Sequence, residues 1–288
     1  MNANRIAAGA VVILQLAGAV VSAQEVTGRD AKARRKETEL QSVAPAAALV
    51  APQCFTSGTN RYYMKFCISE RGNITLFESP LGQTNINGRE GYVVCANHDD
   101  HAIAFDAGVT EAGWAGSSVL QPNGPGTLPL IVTRNSADGR IQLKQTFTFS
   151  VVDRLVEIKM EVKNTSAAML TSVKLDRYFD GDVGGSASDD EWRSTFESVW
   201  ARTPQTPTVV PNMLLLTTTN QDESLPHSGR IEYFASWNPL GTGPQTARNC
   251  GIGGYYELAG DGVGRMETIL GDLAPGQTKT LSVRYRRF

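Results

Sequence analysis

The sequence predicts an all-β fold: a large two-sheet antiparallel β-sandwich with one or two short helices. Three observations predict it. Apolar and polar residues alternate with a period of two through most of the chain beyond residue 51. Gly, Asn, Asp and Pro punctuate these runs at turn spacing. No long amphipathic stretch separates the runs, as parallel βαβ units would require.

Residues 1–23 read as a secretory signal peptide. Arg5 supplies the positive charge, Ile6 to Val21 is mostly apolar, and Val21-Ser-Ala23 offers small residues for cleavage. The run is short and alanine-rich for a membrane anchor. Residues 24–50 read as a flexible linker. Glu25, Arg29, Asp30, Lys32, Arg34, Arg35, Lys36, Glu37 and Glu39 leave little apolar surface to offset the entropy of ordering. Residues 51–288 form the β-sandwich domain. Its expected location is secreted or periplasmic, with no integral membrane segment once the leader is cleaved.

In the domain, Arg61 to Ser69 and Asn73 to Glu78 form a hairpin through Glu70-Arg-Gly72. Tyr92 to Cys95 and Ala102 to Phe105 are short strands around a polar turn. Asp138-Gly139 joins Leu128 to Arg134 with Ile141 to Val152, a favoured hairpin dipeptide. Leu155 to Lys163 alternates cleanly, and Asn164-Thr-Ser turns it into Met169 to Phe179. Val209 to Thr218, Arg230 to Ala235, Tyr255 to Leu258 and Gly264 to Ile269 follow. Ala274-Pro-Gly276 then leads into Thr278 to Tyr285. Strands with one wet and one dry face are satisfied when two sheets stack. An outer-membrane barrel is disfavoured, because Arg284 and Arg286 share a face with Phe288 and would meet lipid.

The net charge is −2, so nucleic acid is not an expected partner. Cys54, Cys67, Cys95 and Cys250 lack the close pairs of a zinc site and read as two disulfides. Four cysteines allow three pairings that sequence cannot choose between; Cys54–Cys67 with Cys95–Cys250 is the favoured one.

The densest chemistry lies at Asp180 to Glu191. Against a twelve-residue calcium loop, Asp180, Asp182 and Glu191 take the first, third and twelfth places, Gly185 the sixth and Ser188 the ninth. Asp180, Asp182, Ser188 and Glu191 are therefore candidate Ca2+ ligands. Gly184 leaves the fifth place without a side-chain oxygen, and a strand enters where an EF-hand has a helix. The competing reading is a capping box, Ser188-Asp-Asp-Glu191, opening a short helix with Trp192, Phe196 and Val199 as its buried stripe.

Trp192, Trp200, His98 and His101 are candidate ligand contacts: tryptophans near turns can stack on sugar rings, and Asn97-His-Asp-Asp-His101 clusters histidines with carboxylates. No serine stands in the strand–turn–helix setting of a nucleophile elbow. Glu78, Glu111, Asp176 and Asp180 are candidates for paired carboxylates, which sequence alone cannot pair.

The passage Leu155 to Phe179, ending Asp-Arg-Tyr-Phe-Asp-Gly-Asp182, resembles the central strands of galactose mutarotase-like supersandwich domains. Gly271-Asp-Leu-Ala-Pro-Gly276 before the last strand is similar to them too. The resemblance implies a supersandwich fold, found in sugar epimerases and in β-domains of polysaccharide-processing enzymes. Histidines and a glutamate surround the sugar in mutarotases. His98, His101, His227 and the glutamates here match no such arrangement, so no catalytic residue carries over. The functional expectation is a non-catalytic secreted sandwich that binds carbohydrate or another cell-surface partner. The alternatives are a sugar-directed enzyme (epimerase, lyase or glycoside hydrolase) and a purely structural envelope protein.

Overall fold

The computed structural model describes residues 52–87, 89–97, 103–106, 111–150, 152–185, 188–204, 213–218, 225–233, 250 and 254–288. The signal peptide and linker of the sequence reading, along with His98 and His101, lie outside the described residues.

The described residues form an all-β sandwich of nineteen strands in three antiparallel sheets, with two single 3-10 turns. The four-stranded sheet runs β1 (Gln53–Ser57), β2 (Met64–Ile68), β3 (Ile74–Glu78) and β4 (Thr84–Asn87). The nine-stranded sheet has the order β17 (Glu257–Ala259), β13 (Glu191–Ser194), β14 (Ser198–Arg202), β15 (Met213–Thr218), β19 (Thr278–Arg287), β11 (Leu155–Asn164), β10 (Ile141–Ser150), β9 (Leu130–Ser136) and β8 (Trp114–Leu120). The six-stranded sheet has the order β16 (His227–Tyr233), β18 (Gly262–Leu273), β12 (Leu170–Asp180), β5 (Glu90–Cys95), β6 (Ala104–Asp106) and β7 (Glu111–Ala112).

The alternation read from sequence explains the core. On β11, Val156, Ile158, Met160 and Val162 are buried, while the residues between them face outward. They meet Leu143 and Phe147 of β10 and Leu281, Val283 and Tyr285 of β19 in the main core. Leu175 and Phe179 of β12 join that core from the six-stranded sheet. Strand β12 departs from simple alternation: its last six residues are all buried. Its other face carries Asp176, Tyr178 and Asp180, and Tyr178 packs with Val93, Cys95, Phe105, Val263 and Cys250 in a second, smaller cluster. Gly91 on β5 makes room for the Tyr178 ring, whose hydroxyl donates to the Asp106 carbonyl at 2.6 Å. The six-stranded sheet thus has an inner face against the main core and an outer face under this second cluster.

Cys54 and Cys67 are register partners across β1 and β2 and form one disulfide; Cys95 and Cys250 form the other. Among the described residues no helix is long and apolar enough to cross a membrane.

The helix expected from the capping-box reading is overturned. Trp192 to Val199 spans the hairpin of β13 and β14, with Trp192 opposite Ala201 and Ser194 opposite Val199. Trp192 and Ser194 are buried and Arg193 is exposed, the period of a strand. Thr195 Oγ1 accepts the N–H groups of Glu197 and Ser198 at the turn, and Phe196 stands there 67% exposed. The helical spacing of Trp192 and Phe196 was a coincidence of the turn. Only Val183–Gly185 makes a 3-10 turn nearby, with Gly184 and Gly185 at φ of 76° and 87°.

Candidate functional site

Three groups of buried charge sit around the six-stranded sheet, and their hydrogen-bond partners separate their roles. The first lies between the sheets. Glu90 accepts from both Nε and Nη2 of Arg177, from the Tyr285 hydroxyl at 2.7 Å and from the Ile74 N–H at 2.8 Å. Arg177 also donates to Gln145 Oε1 and to the Gly72 carbonyl. A similar clamp joins Arg134 of β9 to Asp106 at 2.6 Å, to Tyr92 and to Glu111. In both, the carboxylates meet donors. A buried ion pair with its hydrogen bonds made is a structural tie between layers.

The second group occupies the outer face. Alternation along β12 puts Lys174, Asp176, Tyr178 and Asp180 on one side. Antiparallel register sets Asp176 opposite Glu267, and Glu267 opposite Ser228; Tyr178 lies opposite Arg265, and Arg265 opposite Arg230. Side chains directly opposite stand about 5 Å apart at their Cβ atoms, so Asp176 and Glu267 form a side-by-side carboxylate pair. Arg265 ion-pairs with Asp176. Glu267 is different. It is 3% exposed, and among the described residues neither carboxylate oxygen has a hydrogen-bond donor within 3.5 Å. Its nearest cation is Lys174 Nζ, 3.6 Å from Oε2, an ion pair too long for a hydrogen bond. Lys174 spends a hydrogen bond on the Cys250 carbonyl at 2.9 Å, which anchors the Cys95–Cys250 disulfide beside the pair. Burial, reinforced by the charge of Asp176, pushes the Glu267 carboxyl up to about 7, while Lys174 and Arg265 pull against it. A buried carboxyl that titrates near neutrality is suited to give or take a proton.

The third group lies where β12 ends. Asp180 is buried and pairs with Arg89 at 3.1 Å; Asp190 accepts the Val183 N–H at 3.2 Å. Among the described residues, Asp180 Oδ1 and Asp190 Oδ1 have no hydrogen-bond partner. Burial first, then like charge from Asp182, raises Asp180 to about 7, and burial with Asp189, Asp182 and Asp180 raises Asp190 to about 8. Asp261, at the turn before β18, adds to the repulsion on Asp180.

Of the proposed calcium ligands, Asp180 and Asp182 face this cluster. Glu191 is turned away into an ion pair with Arg202, and Ser188 is exposed. Among the described residues, no three His, Cys, Asp or Glu side chains stand close enough together to hold a metal ion. Trp192 is 1% exposed, packs on Phe179 at 5.4 Å and donates its indole N–H to Gly260, so it belongs to the core and presents no ring to a ligand. Trp200 is half-buried on the outward side of the nine-stranded sheet, between Arg193 and Arg202, away from Glu267. Asp176 was among the carboxylates singled out from the sequence; Glu267, Arg265 and Arg230 were not. Their cue is β18 itself, where charged Arg265 and Glu267 alternate with apolar residues inside a strand that is buried on both faces.

The fold matches part of a bacterial glucoamylase. That structure, complexed with acarbose, superposes with a TM-score of 0.55 at 11% identity, covering 86% of this chain and 34% of the glucoamylase. This chain therefore spans about a third of that protein's length. Similar too are a candidate aldose 1-epimerase from Escherichia coli K12 (TM-score 0.46, 12% identity, 82% of this chain and 99% of that one) and a galactose mutarotase related enzyme from Lactobacillus acidophilus (0.39, 11%, 82% and 97%). The resemblance to mutarotase-like domains is one of fold. No protein-family model matches the sequence, and no curated protein matches it.

Proposed function

We propose that the protein acts on carbohydrate at the outer face of the six-stranded sheet, with Glu267 exchanging a proton with the sugar and Asp176, held by Arg265, beside it. The observation that carries this reading is Glu267 itself: a buried carboxylate without a donor, paired in register with a second carboxylate. The two acids have unlike surroundings. Asp176 is ion-paired with a guanidinium at hydrogen-bond distance and Glu267 with an ammonium 3.6 Å away, the asymmetry that divides acid from base in two-carboxylate sites. The likeness to part of a glucoamylase makes carbohydrate the first substrate class to test; the fold alone does not choose a reaction. Epimerisation, elimination and hydrolysis all need such a group. Export fits this reading, since two disulfides are compatible with an oxidising compartment.

The test is a panel of free sugars followed by NMR for anomer exchange, and of polysaccharides followed for new reducing ends or unsaturated products. Glu267→Gln should lower turnover by about a hundredfold or more, the usual worth of a general acid or base. Absence of turnover by the wild-type chain across all three reaction classes would sink the catalytic reading. Glycan binding without turnover would instead support a second reading, a non-catalytic binding module.

A further inference from the structure

We infer that the sugar taken by this face carries a carboxylate, and that Arg230 is its receptor with Tyr256 as the ring platform beside it. The inference rests on reading the outer face as a sugar site. Its starting point is a charge count along the register. The acids of the face each meet a cation: Asp176 meets Arg265, Glu267 meets Lys174, and Asp180, at the end of β12, meets Arg89. Arg230, opposite Arg265 on the neighbouring strand, adds a further cation and ion-pairs with no carboxylate among the described residues. Its Nη1 donates to two neutral acceptors, Ser228 Oγ and the Gly229 carbonyl, each at 2.7 Å. Those bonds fix the guanidinium and leave Nη2 and Nε without a hydrogen-bonded partner among the described residues.

Its position is close to Glu267. Ser228 is the register partner of Glu267, and Arg230 lies two residues along on the same face. Diagonal positions on paired strands are about 7–8 Å apart, close to the span of one sugar ring with its substituents. Arg230 is half-buried, and its guanidinium lies 4.2 Å from the centre of the Tyr256 ring. Tyr256 is 50% exposed, yet its backbone is held. Its carbonyl accepts the Ser194 N–H at 2.8 Å, and the preceding Tyr255 exchanges two backbone hydrogen bonds with Ile231. The guanidinium covers one face of a half-exposed aromatic ring and keeps free donors at its edge, which pairs an apolar sugar face on the ring's other side with a planar two-oxygen anion. A guanidinium fork matches a carboxylate better than it matches a hydroxyl.

The experiment measures binding of oligogalacturonate and of its neutral methyl ester, by calorimetry at low salt and at about 0.5 M salt, where surface attraction is screened. The acid should bind at least about tenfold tighter than the ester, the worth of a hydrogen bond to a charged group. Arg230→Gln should bring acid binding down to the level of the ester. Arg230→Lys should keep part of it, and Tyr256→Ala should weaken acid and ester alike. Equal wild-type binding of acid and ester, or a preference that survives Arg230→Gln, overturns the inference. If neither ligand binds but a neutral sugar is turned over in a Glu267-dependent way, this inference falls and the proposed function stands. If no sugar binds or reacts, both fall.

Discussion

Replacing Glu267 by Gln should make the protein more stable, and by an amount that depends on pH. Folding moves this carboxyl from an ordinary 4.5 to about 7, because burial and Asp176 penalise the charged form. The folded state thus holds the proton more tightly than the unfolded state. Below about pH 4.5 the glutamate carries no ionisation penalty; the penalty grows as pH rises towards 7 and is level above it. At about 1.4 kcal/mol for each tenfold change, the full penalty is about 3 kcal/mol at pH 8 and under about 1 kcal/mol at pH 5. Glutamine has nearly the same shape and no charge to desolvate, so the variant should recover most of that difference. Urea unfolding followed by tryptophan fluorescence at the two pH values reads it as a shift in midpoint with unchanged slope. A variant less stable at both pH values, or one whose gain is equal at pH 5 and pH 8, would refute the reasoning. A gain in stability joined to a loss of turnover would mark a site kept strained for function.

Glu90→Gln should act in the opposite direction. It leaves Arg177 buried without its counter-charge, and loss of one member of such a pair costs about 3–5 kcal/mol, seen as a lower unfolding midpoint near neutral pH. The two disulfides should differ in worth. Their sequence separations are 155 and 13 residues, so chain entropy predicts losses of about 5 kcal/mol for Cys95→Ser with Cys250→Ser and about 3 kcal/mol for Cys54→Ser with Cys67→Ser, compared by denaturant unfolding. Calcium, expected from the loop beginning at Asp180, should raise the melting temperature and chelator should lower it, through linkage between binding and folding. Identical melts with excess calcium and with chelator remove the ion from this chain.

Much of the fold was legible because alternation is a local signal with a global consequence. Val156, Ile158, Met160 and Val162 name a buried face before any partner strand is known, and Asp138-Gly139 names its hairpin. The third sheet was not legible, because β1 to β4 alternate like the other strands and nothing local says which sheet a strand joins. The segment after Asp180 misled because a capping box and a strand with a turn share letters: Glu191 found Arg202 across a hairpin instead of a helix N-terminus. The carboxylate pair was half legible. Asp176 sits in a recognisable strand, but its partner is 91 positions away, and only register brings them together. Sequence separation hides such a pair, and burial of Glu267 on a strand full of apolar neighbours hides it further.

Charge burial alone would have nominated the wrong residues. Glu90 and Arg177 are as deeply buried as anything on the outer face, yet every oxygen of Glu90 has donors, so that network is complete within the chain. Among the described residues, Glu267 is equally buried with both oxygens unserved, and Arg230 is fixed by neutral acceptors with donors to spare. An unsatisfied acid costs stability wherever it stands, since its hydration is lost without replacement. In the proposed site, Glu267 and Arg230 lie within one ring's span on the same face, and a single ligand would supply what each lacks among the described residues: a hydroxyl donor for Glu267 and an anion for Arg230. That complementarity is what sets the outer face apart from the internal clamps and makes it the place to look for chemistry.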